Sequence, residues 1–337
     1  MTSTFRKYLI SCVYLVGMLL SWSLQAADIV SCPTGSFEKC PGDDLNVTSI
    51  VVAQSDGFCV IGDSFTADLE VSIAGPTNGT RYDLAGWILA EGEDLNTNTG
   101  DLCSFDVAPT SLPFSDLNSN SCGEVSVLGQ NQTLVWELVD QQIACNVVQA
   151  DPNDPSSPFV VNAQGGIAFS TSQNNSSCGP PYNIDNSNKC YYNDALPLTS
   201  IAPLGRMTII KEINPDDNGV FDFRFSFPNS GGNDEPNIPN LNPEPKEFSL
   251  GDGASQILYG SLVDGSAIFD IRETLRDGYS LDSLVCVDGN GSALPTSEVT
   301  RFADGALIRI SNNYPDVTCT FTNTREPTIS IDDVSLD

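Results

Sequence analysis

Three strand-like segments each carry one polar residue on a face that is otherwise apolar. Lys211, Glu273 and Asn323 alternate in phase with apolar neighbours, and successive side chains of a β-strand point to opposite faces. The residues in phase with them are Ile209 and Ile213, Phe269 and Ile271, and Cys319 and Phe321. An unpaired polar group in an apolar layer costs roughly a few kcal/mol. The shared phase therefore requires an explanation in terms of partners or of function.

A simpler alternative exists for these residues. Lys and Glu side chains often lay their alkyl stems along apolar surface while the charged tip stays in water. In that case the three residues lie at boundaries and share no site. Against this, three independent segments show the same phase, and an amine, a carboxyl group and a carboxamide are chemically complementary. We therefore favour a common buried site.

Composition excludes several classes of function. The chain has 337 residues, no histidine and a formal net charge of −30. The lack of histidine excludes Ser-His-Asp and Cys-His catalysis and histidine-based metal sites. The negative charge disfavours contact with nucleic acid or anionic membranes. We expect no nucleic-acid partner and no cofactor, although an acidic extracellular surface is compatible with calcium.

Residues 1–26 have the features of a secretory signal peptide. Arg6 and Lys7 precede a largely apolar run that ends at Trp22, and small residues offer a cleavage site after Ala26. The apolar run is too short for a comfortable membrane span. We therefore expect an exported chain, secreted or at the cell surface, with no membrane insertion after cleavage.

Cysteine usage agrees with an oxidising compartment. Cys12 lies in the signal peptide, and the ten cysteines that remain are an even number suited to disulfides. Eight of them precede residue 205, and the sequence leaves their pairing open: Cys32, Cys40, Cys59, Cys103, Cys122, Cys145, Cys178 and Cys190. Zinc binding is disfavoured because the chain has neither a Cys-x-x-Cys motif nor a histidine.

Residues 28–204 form the first predicted domain. They are rich in Gly, Asn, Ser, Thr and Asp, and short apolar runs such as Phe65–Ile73 show strand periodicity. We predict an all-β, disulfide-rich, sandwich-like domain. An alternative function, carbohydrate binding, would use Tyr82, Trp87 and Trp136 of this domain as a platform for a sugar.

Residues 205–326 form the second predicted domain. Alternating runs such as Phe221–Phe227 and Ser266–Glu273 predict several short strands, and the turn signals between them favour a β-sandwich. Cys286 and Cys319 are its only cysteines, so we expect them to form its single disulfide. The chain-entropy model gives such a bridge roughly 3–4 kcal/mol.

The second predicted domain also resembles a known family. The segments 208–211, 269–281, 284–286 and 319–324 are similar to those of SpaA-like, or Cna B-type, domains with a prealbumin-like fold. These domains are β-sandwich modules of bacterial surface and pilus proteins. The resemblance implies a secreted, non-enzymatic structural or adhesive module, with an extracellular ligand or neighbouring domains of a larger surface protein as partners.

The resemblance further implies a covalent crosslink. In that family a lysine of the first strand joins an asparagine of the last strand through an isopeptide bond, promoted by an acidic residue of an intervening strand. These roles fall on Lys211, Asn323 and Glu273. Burial would keep the amine and the acid neutral, so that the amine attacks the carboxamide and ammonia leaves. Arg272 and Arg276 flank the acid and would keep it ionised if either reached it.

Two further segments bear on calcium and on the chain end. Residues 214–219 place oxygen-bearing side chains at alternate positions, as in half of an EF-hand loop, but Phe225 stands where a bidentate Glu is required. We therefore interpret this segment as a hairpin turn. Residues 327–337 resemble the first strand of Calx-beta domains, which are calcium-binding sandwiches, and predict a fragment or a truncated further module.

A third possible function is a secreted hydrolase with paired carboxylates. It ranks last among the functions considered because no such pair is apparent in the sequence.

Overall fold

The computed structural model describes residues 28–32, 45–75, 79–92, 101–120, 122–126, 132–154, 156–173, 188–228, 235–236 and 240–326. The predicted signal peptide and the Calx-beta-like tail lie outside these ranges, as do Cys40 and Cys178. The secondary structure of the described residues consists of β-strands, so the predicted all-β class is confirmed. Within the same ranges, no helix has the length and apolar character needed to cross a bilayer.

The strands of the first region, apart from β3, build two sheets. Their bounds are β1 (Asp28–Ser31), β2 (Asn46–Ser55), β3 (Phe58–Val60), β4 (Ser64–Ala74), β5 (Tyr82–Glu91), β6 (Leu102–Val107), β7 (Thr133–Ala144), β8 (Val147–Gln149), β9 (Phe159–Ser170) and β10 (Asn188–Leu198). The larger sheet has the order β1-β6-β5-β9-β10, with β8 paired to β9. The smaller sheet has the order β2-β4-β7.

The larger sheet of the first region is covered on both faces. Leu84 and Ile88 of β5 pack in the cluster between the two sheets, whereas Trp87 packs with Cys103 and Phe105 in a second cluster on the opposite face. Strands that are buried on both sides do not alternate between apolar and polar residues. This explains why β5 is buried along almost its whole length.

The predicted sugar platform is wrong. Trp87 is 1% exposed and Trp136 is 2% exposed. Trp136 packs edge-on against Phe114, with 5.7 Å between the ring centroids. Tyr82, at the start of β5, is only partly exposed. A sugar stacks on an open ring face, and both indoles are enclosed because each face of the larger sheet is covered.

The strands of the second region form a sandwich. Their bounds are β11 (Ala202–Asn214), β12 (Val220–Ser226), β13 (Glu247–Gly251), β14 (Ser255–Ser261), β15 (Ser266–Glu273), β16 (Tyr279–Asp288), β17 (Val299–Phe302), β18 (Gly305–Ser311) and β19 (Asp316–Arg325). One sheet has the order β14-β11-β19-β16, and the facing sheet has the order β13-β12-β15-β18-β17. The core between them contains five buried phenylalanines: Phe221, Phe223, Phe225, Phe269 and Phe321.

Residues 214–219 connect the two layers of this sandwich. They leave β11 in one sheet and enter β12 in the facing sheet, and these two strands are not hydrogen-bonded to each other. The predicted hairpin is therefore wrong. Asp217 stabilises the crossover by accepting hydrogen bonds from the backbone N–H of Gly219 and from the Tyr279 hydroxyl. The sequence placed the break between the two strands correctly, but loop residues do not determine which sheet receives the next strand.

Strand β11 also extends beyond the predicted boundary at residue 205. Its first residues pair in parallel with β3, with Ala202 opposite Phe58 and Leu204 opposite Val60. The rest of β11 pairs with β14 and β19. Ile61 packs against the cores of both regions. The two regions are therefore joined by a shared strand.

Three disulfides join described cysteines. They are Cys32–Cys103, Cys59–Cys145 and Cys286–Cys319, with Cα–Cα distances of 4.9, 5.8 and 4.1 Å. Cys122 and Cys190 are also disulfide-bonded. Cys286 and Cys319 lie directly opposite each other on the antiparallel strands β16 and β19.

Candidate functional site: a buried Lys–Glu–Asn cluster

Lys211, Glu273 and Asn323 meet inside the second sandwich, and we call them the Lys–Glu–Asn cluster. Lys211 lies on β11 and Asn323 on β19, which are adjacent parallel strands; Lys211 is opposite Phe321, and Ile213 is opposite Asn323. Glu273 is the last residue of β15 in the facing sheet. The cluster therefore links the first and last strands of the sandwich to the opposite layer.

The Glu273 carboxyl group connects the other two side chains. Its Oε1 lies 3.2 Å from Nζ of Lys211 and accepts a 2.9 Å hydrogen bond from Nδ2 of Asn323. The lysine amine also donates to the backbone carbonyls of Phe321 and Glu212, each at 3.2 Å. The amine, the acid and the carboxamide thus belong to one hydrogen-bonded group.

All three side chains are withdrawn from water. Lys211 and Asn323 are 0% exposed, and Glu273 is 3% exposed. The alternative that their polar tips reach solvent is wrong. Burial lowers the pKa of the Lys211 amine and raises the pKa of the Glu273 carboxyl group, because each charged form loses its hydration. The attraction between the two groups opposes both pKa shifts, but burial is the larger effect.

Aromatic rings enclose the amine. Nζ of Lys211 lies 4.4 Å from the centroid of the Phe221 ring. The rings of Phe223 and Phe321 meet edge-on nearby in the core, with centroids 5.4 Å apart. These rings exclude water from the site, and this loss of hydration disfavours the charged forms of both groups. The face of the Phe221 ring partly offsets the effect for the amine, because it attracts a cation.

Two buried oxygens of the cluster have no hydrogen-bond partner. They are Oε2 of Glu273 and Oδ1 of Asn323. A protonated carboxyl group has one O–H to donate, and a carboxamide oxygen is an acceptor. A proton on Glu273 would therefore supply the donor that these two oxygens lack, in agreement with the raised pKa of Glu273.

The two arginines that flank Glu273 in the sequence are engaged elsewhere. Arg272 donates hydrogen bonds to Asp270 at 2.6 Å and to Asp304 at 2.8 Å. The guanidinium of Arg276 lies over the Phe221 ring, 5.3 Å from its centroid. Within the described residues, neither arginine forms an ion pair with Glu273, so neither holds this acid in its charged form.

A second buried polar group lies in the first region and was not predicted. Asp83 is 1% exposed and Glu124 is 0% exposed. Both lie against a loop that contains Asn118 and Asn120, and the alternate polar spacing of this loop is the sequence signal that was missed. Across the described part of the chain, no group of three His, Cys, Asp or Glu side chains has an arrangement suited to a metal ion.

Comparisons with solved structures give weak similarities. A bacterial adhesin from Mobiluncus mulieris containing intramolecular disulfide, isopeptide and ester bond cross-links is 13% identical, over 83% of this chain and 100% of that chain, with a TM-score of 0.27. The full-length major pilin SpaD from Corynebacterium diphtheriae is 10% identical, over 83% of this chain and 66% of that chain, with a TM-score of 0.32. TM-scores this low do not establish a shared architecture.

A family comparison is more specific. A search of curated proteins finds no match, but residues 207–325 match the family described as a prealbumin-like fold domain. The matched range contains most of β11 and all of the strands from β12 to β19. It also contains the complete Lys–Glu–Asn cluster and the disulfide between β16 and β19. Residues 207–325 of this chain are therefore similar to the prealbumin-like fold domain family.

Proposed function

We propose that this chain is a non-enzymatic structural or adhesive module of a secreted bacterial surface protein, and that Lys211 and Asn323 become joined by an isopeptide bond. The observation that carries the proposal is the buried contact of Glu273 with both residues. The resemblance of the second region to bacterial surface modules supports the location and the role. The partners proposed are neighbouring domains of a larger surface protein.

The proposed reaction condenses an amine with a carboxamide. The neutral Lys211 amine attacks Cγ of Asn323 while Glu273 donates its proton to the carbonyl oxygen. Glu273 next takes a proton from the lysine nitrogen and passes it to Nδ2 of Asn323. The Cγ–Nδ2 bond then breaks, ammonia leaves, and the carbonyl re-forms as its proton returns to Glu273. Each molecule reacts once and needs no cofactor, because the folded core supplies both proximity and proton transfer.

The position of the bond suits a module that works under tension. Strands β11 and β19 are adjacent and parallel, so a pull on the start of β11 and the end of β19 loads their hydrogen bonds in shear. A covalent bond between Lys211 and Asn323 would carry this load in place of the hydrogen-bond ladder. A spacer between a cell and its target would then keep its fold when it is stretched.

Intact-mass spectrometry of the mature chain tests this proposal. After reduction of the disulfides, the wild-type protein should weigh one ammonia less than its sequence predicts. Glu273→Ala and Lys211→Ala should restore the full mass. Lys246→Ala is the matched control, because Lys246 lies in the same domain but pairs with Glu235 at 2.6 Å in a partly exposed position. This control should still lose ammonia.

A digest locates the crosslink. A branched peptide that contains both Lys211 and Asn323 is expected from the wild-type chain and should be missing from the Glu273→Ala variant. A folded wild-type protein with an unshifted mass would contradict the proposed bond. The second region would then be an ordinary sandwich with a buried ion-pairing cluster.

A further inference from the structure

A second buried polar site, independent of the proposed crosslink, lies beside the start of β5. Residues 123–125 run antiparallel to residues 81–84, held by backbone hydrogen bonds of 2.9–3.0 Å. This pairing brings Asp83 and Glu124 to adjacent backbone segments. Both side chains are almost fully buried. Two carboxyl groups are therefore withdrawn from water on one side of the larger sheet.

The loop formed by residues 116–120 closes over these two acids. Oδ1 of Asp83 accepts hydrogen bonds from Nδ2 of Asn120 at 2.6 Å and from Nδ2 of Asn118 at 3.4 Å. Oε2 of Glu124 accepts a hydrogen bond from the backbone N–H of Leu117 at 2.5 Å. The two carboxyl groups thus contact the same short loop.

Two buried oxygens at this loop have no hydrogen-bond partner. They are Oε1 of Glu124 and Oδ1 of Asn118. The carboxyl groups of Asp116 and Asp83 lie close enough to Glu124 to act on it electrostatically. A bound cation would contact these buried oxygens and offset the negative charge around them.

The loop sequence has the spacing of an oxygen-donor site. Asp116, Asn118 and Asn120 occupy alternate positions, and Glu124 follows. Alternate Asp and Asn side chains in a tight loop, together with a Glu, provide the carboxylate and amide oxygens that Ca²⁺ prefers. Cys122 lies in the same segment but is disulfide-bonded, so it offers no thiolate to a softer metal.

We propose that this cluster is a calcium site in which Asp83, Asn118 and Glu124 supply side-chain oxygens to one Ca²⁺ ion. One of the three proposed ligands is an amide oxygen. The site therefore needs only two acidic side chains close to the ion. The Asn118 amide now points its nitrogen at Asp83. A flip of this amide would place its oxygen, Oδ1, there instead, where it can bind the ion. The side chain of Asp116 is exposed at the edge of the loop, where its charge attracts the ion. The bound ion ties the loop to β5.

Calorimetric titration of the chelator-treated mature chain with CaCl₂ tests the site. The wild-type protein should show one saturable site. Calcium at about 100 times its Kd should also raise the unfolding midpoint of the first region by about 5 °C or more. Glu124→Gln should abolish both effects. Asp154→Asn is the matched control, because Asp154 lies in an exposed loop of the same region and bonds to Ser156 at 2.7 and 2.9 Å.

A second variant keeps the test decisive if Glu124→Gln fails to fold. Asn118 is partly exposed, so Asn118→Ala removes a ligand from the surface of the region; it should weaken calcium binding at least about tenfold. Two results would overturn the proposal: no saturable binding to the wild type at up to about 10 mM Ca²⁺, or wild-type affinity in the folded variants. Binding of Mg²⁺ as tight as that of Ca²⁺ would overturn the assignment to calcium.

Discussion

The two regions of the molecule are held together in different ways. Among the described cysteines, Cys32–Cys103 and Cys59–Cys145 are disulfides of the first region and Cys286–Cys319 is that of the second, with sequence separations of 71, 86 and 33. The first two close long loops of the chain. The third closes a shorter loop between neighbouring strands of one sheet, and the Lys–Glu–Asn cluster makes a polar contact between the two sheets of the second region. Cys32–Cys103 also links neighbouring strands, because Cys32 directly follows β1, which pairs with β6.

The difference follows from the size of the buried side chains. The cluster on the outer face of the first region's larger sheet has ten buried residues, of which four are cysteines and three are alanines. Such small side chains bury little apolar area, so the hydrophobic contribution of this layer is small. The core of the second region contains five buried phenylalanines. Disulfides thus stabilise this layer, through Cys32–Cys103, and also the main core of the first region, which contains Cys59 and Cys145, whereas aromatic packing stabilises the second region.

Of the three disulfides between described cysteines, the one with the longest loop should have the largest effect when it is lost. The chain-entropy model gives about 4–5 kcal/mol for Cys59–Cys145 and about 3–4 kcal/mol for Cys286–Cys319. The double serine variants should therefore lose unfolding free energy in this order. Denaturant titration measures both, because Trp87 and Trp136, the two tryptophans that follow the predicted signal peptide, lie in the first region, while circular dichroism follows all strands.

This order is a direct test of the contrast between the regions. An isopeptide bond would already restrict the unfolded second region and would reduce the effect of Cys286–Cys319 further. A greater loss on removal of Cys286–Cys319 than on removal of Cys59–Cys145 would contradict the view that the first region depends more on its disulfides.

The next largest effect is expected in the Lys–Glu–Asn cluster. Lys211→Met removes the amine and leaves the Glu273 carboxyl group buried without its partner. At pH values where this carboxyl group is ionised, the loss is about 3–5 kcal/mol. Adding Glu273→Gln removes the ionisable group and should recover a large part of this loss at neutral pH. Neither variant can form the proposed crosslink, so the comparison reports the electrostatics alone.

The pH dependence of this comparison has a definite sign. The folded-state pKa of Glu273 is raised above its unfolded value by burial. Its stabilising contribution is therefore complete below the unfolded pKa, about 4.3, and is lost as the pH rises through the folded pKa. The advantage of the double variant over Lys211→Met should shrink as the pH falls towards about 4. An advantage that stays constant from neutral pH to pH 4 would show that Glu273 is not the titrating group.

The sequence predicted the second region better than the first. Phe221–Phe227 and Ser266–Glu273 alternate cleanly, and both segments became strands of the sandwich with the expected face inward. The same period-two pattern revealed that Lys211 and Glu273 point into the core. The alternation of apolar and polar residues along a strand shows which face of the sheet each side chain lies on. In a two-layer sandwich the inner faces of both sheets border the same core. Phase therefore predicted that the three residues are buried, while the complementary chemistry of the groups and the family resemblance suggested that they meet.

The first region was harder to predict because alternation fails where both faces are buried. Strand β5 is apolar on each side, so nothing in its pattern showed that Trp87 is enclosed. The position of Glu124 depends on pairing with residues 81–84, which are distant in sequence and joined by an isolated bridge. The extension of β11 across residue 205 was missed because the change in cysteine density suggested a boundary there, while backbone pairing with β3 leaves no pattern in side-chain types.

The smallest expected effect concerns the junction of the two regions. Arg206 of β11 contacts Asp316 of β19 at 2.6 Å and Asp63, just beyond β3, at 3.4 Å. The three side chains are about one-third to one-half exposed, so solvent screens them and Arg206→Met should cost only about 0.5–1 kcal/mol. The larger consequence of Arg206→Met should be that the two regions no longer unfold together. The unfolding transition seen by the fluorescence of the first region should then separate from that seen by the circular dichroism of the whole chain. Arg309→Met is the control, because Arg309 pairs weakly with Glu298 at 4.0 Å on the surface of the second sandwich.

High salt should weaken the Arg206 contacts in the wild-type protein, so that its unfolding comes to resemble that of the Arg206→Met variant. Equal separation of the two transitions in both variants would show that Arg206 does not couple the regions, and that the backbone pairing of β3 with β11 does so by itself.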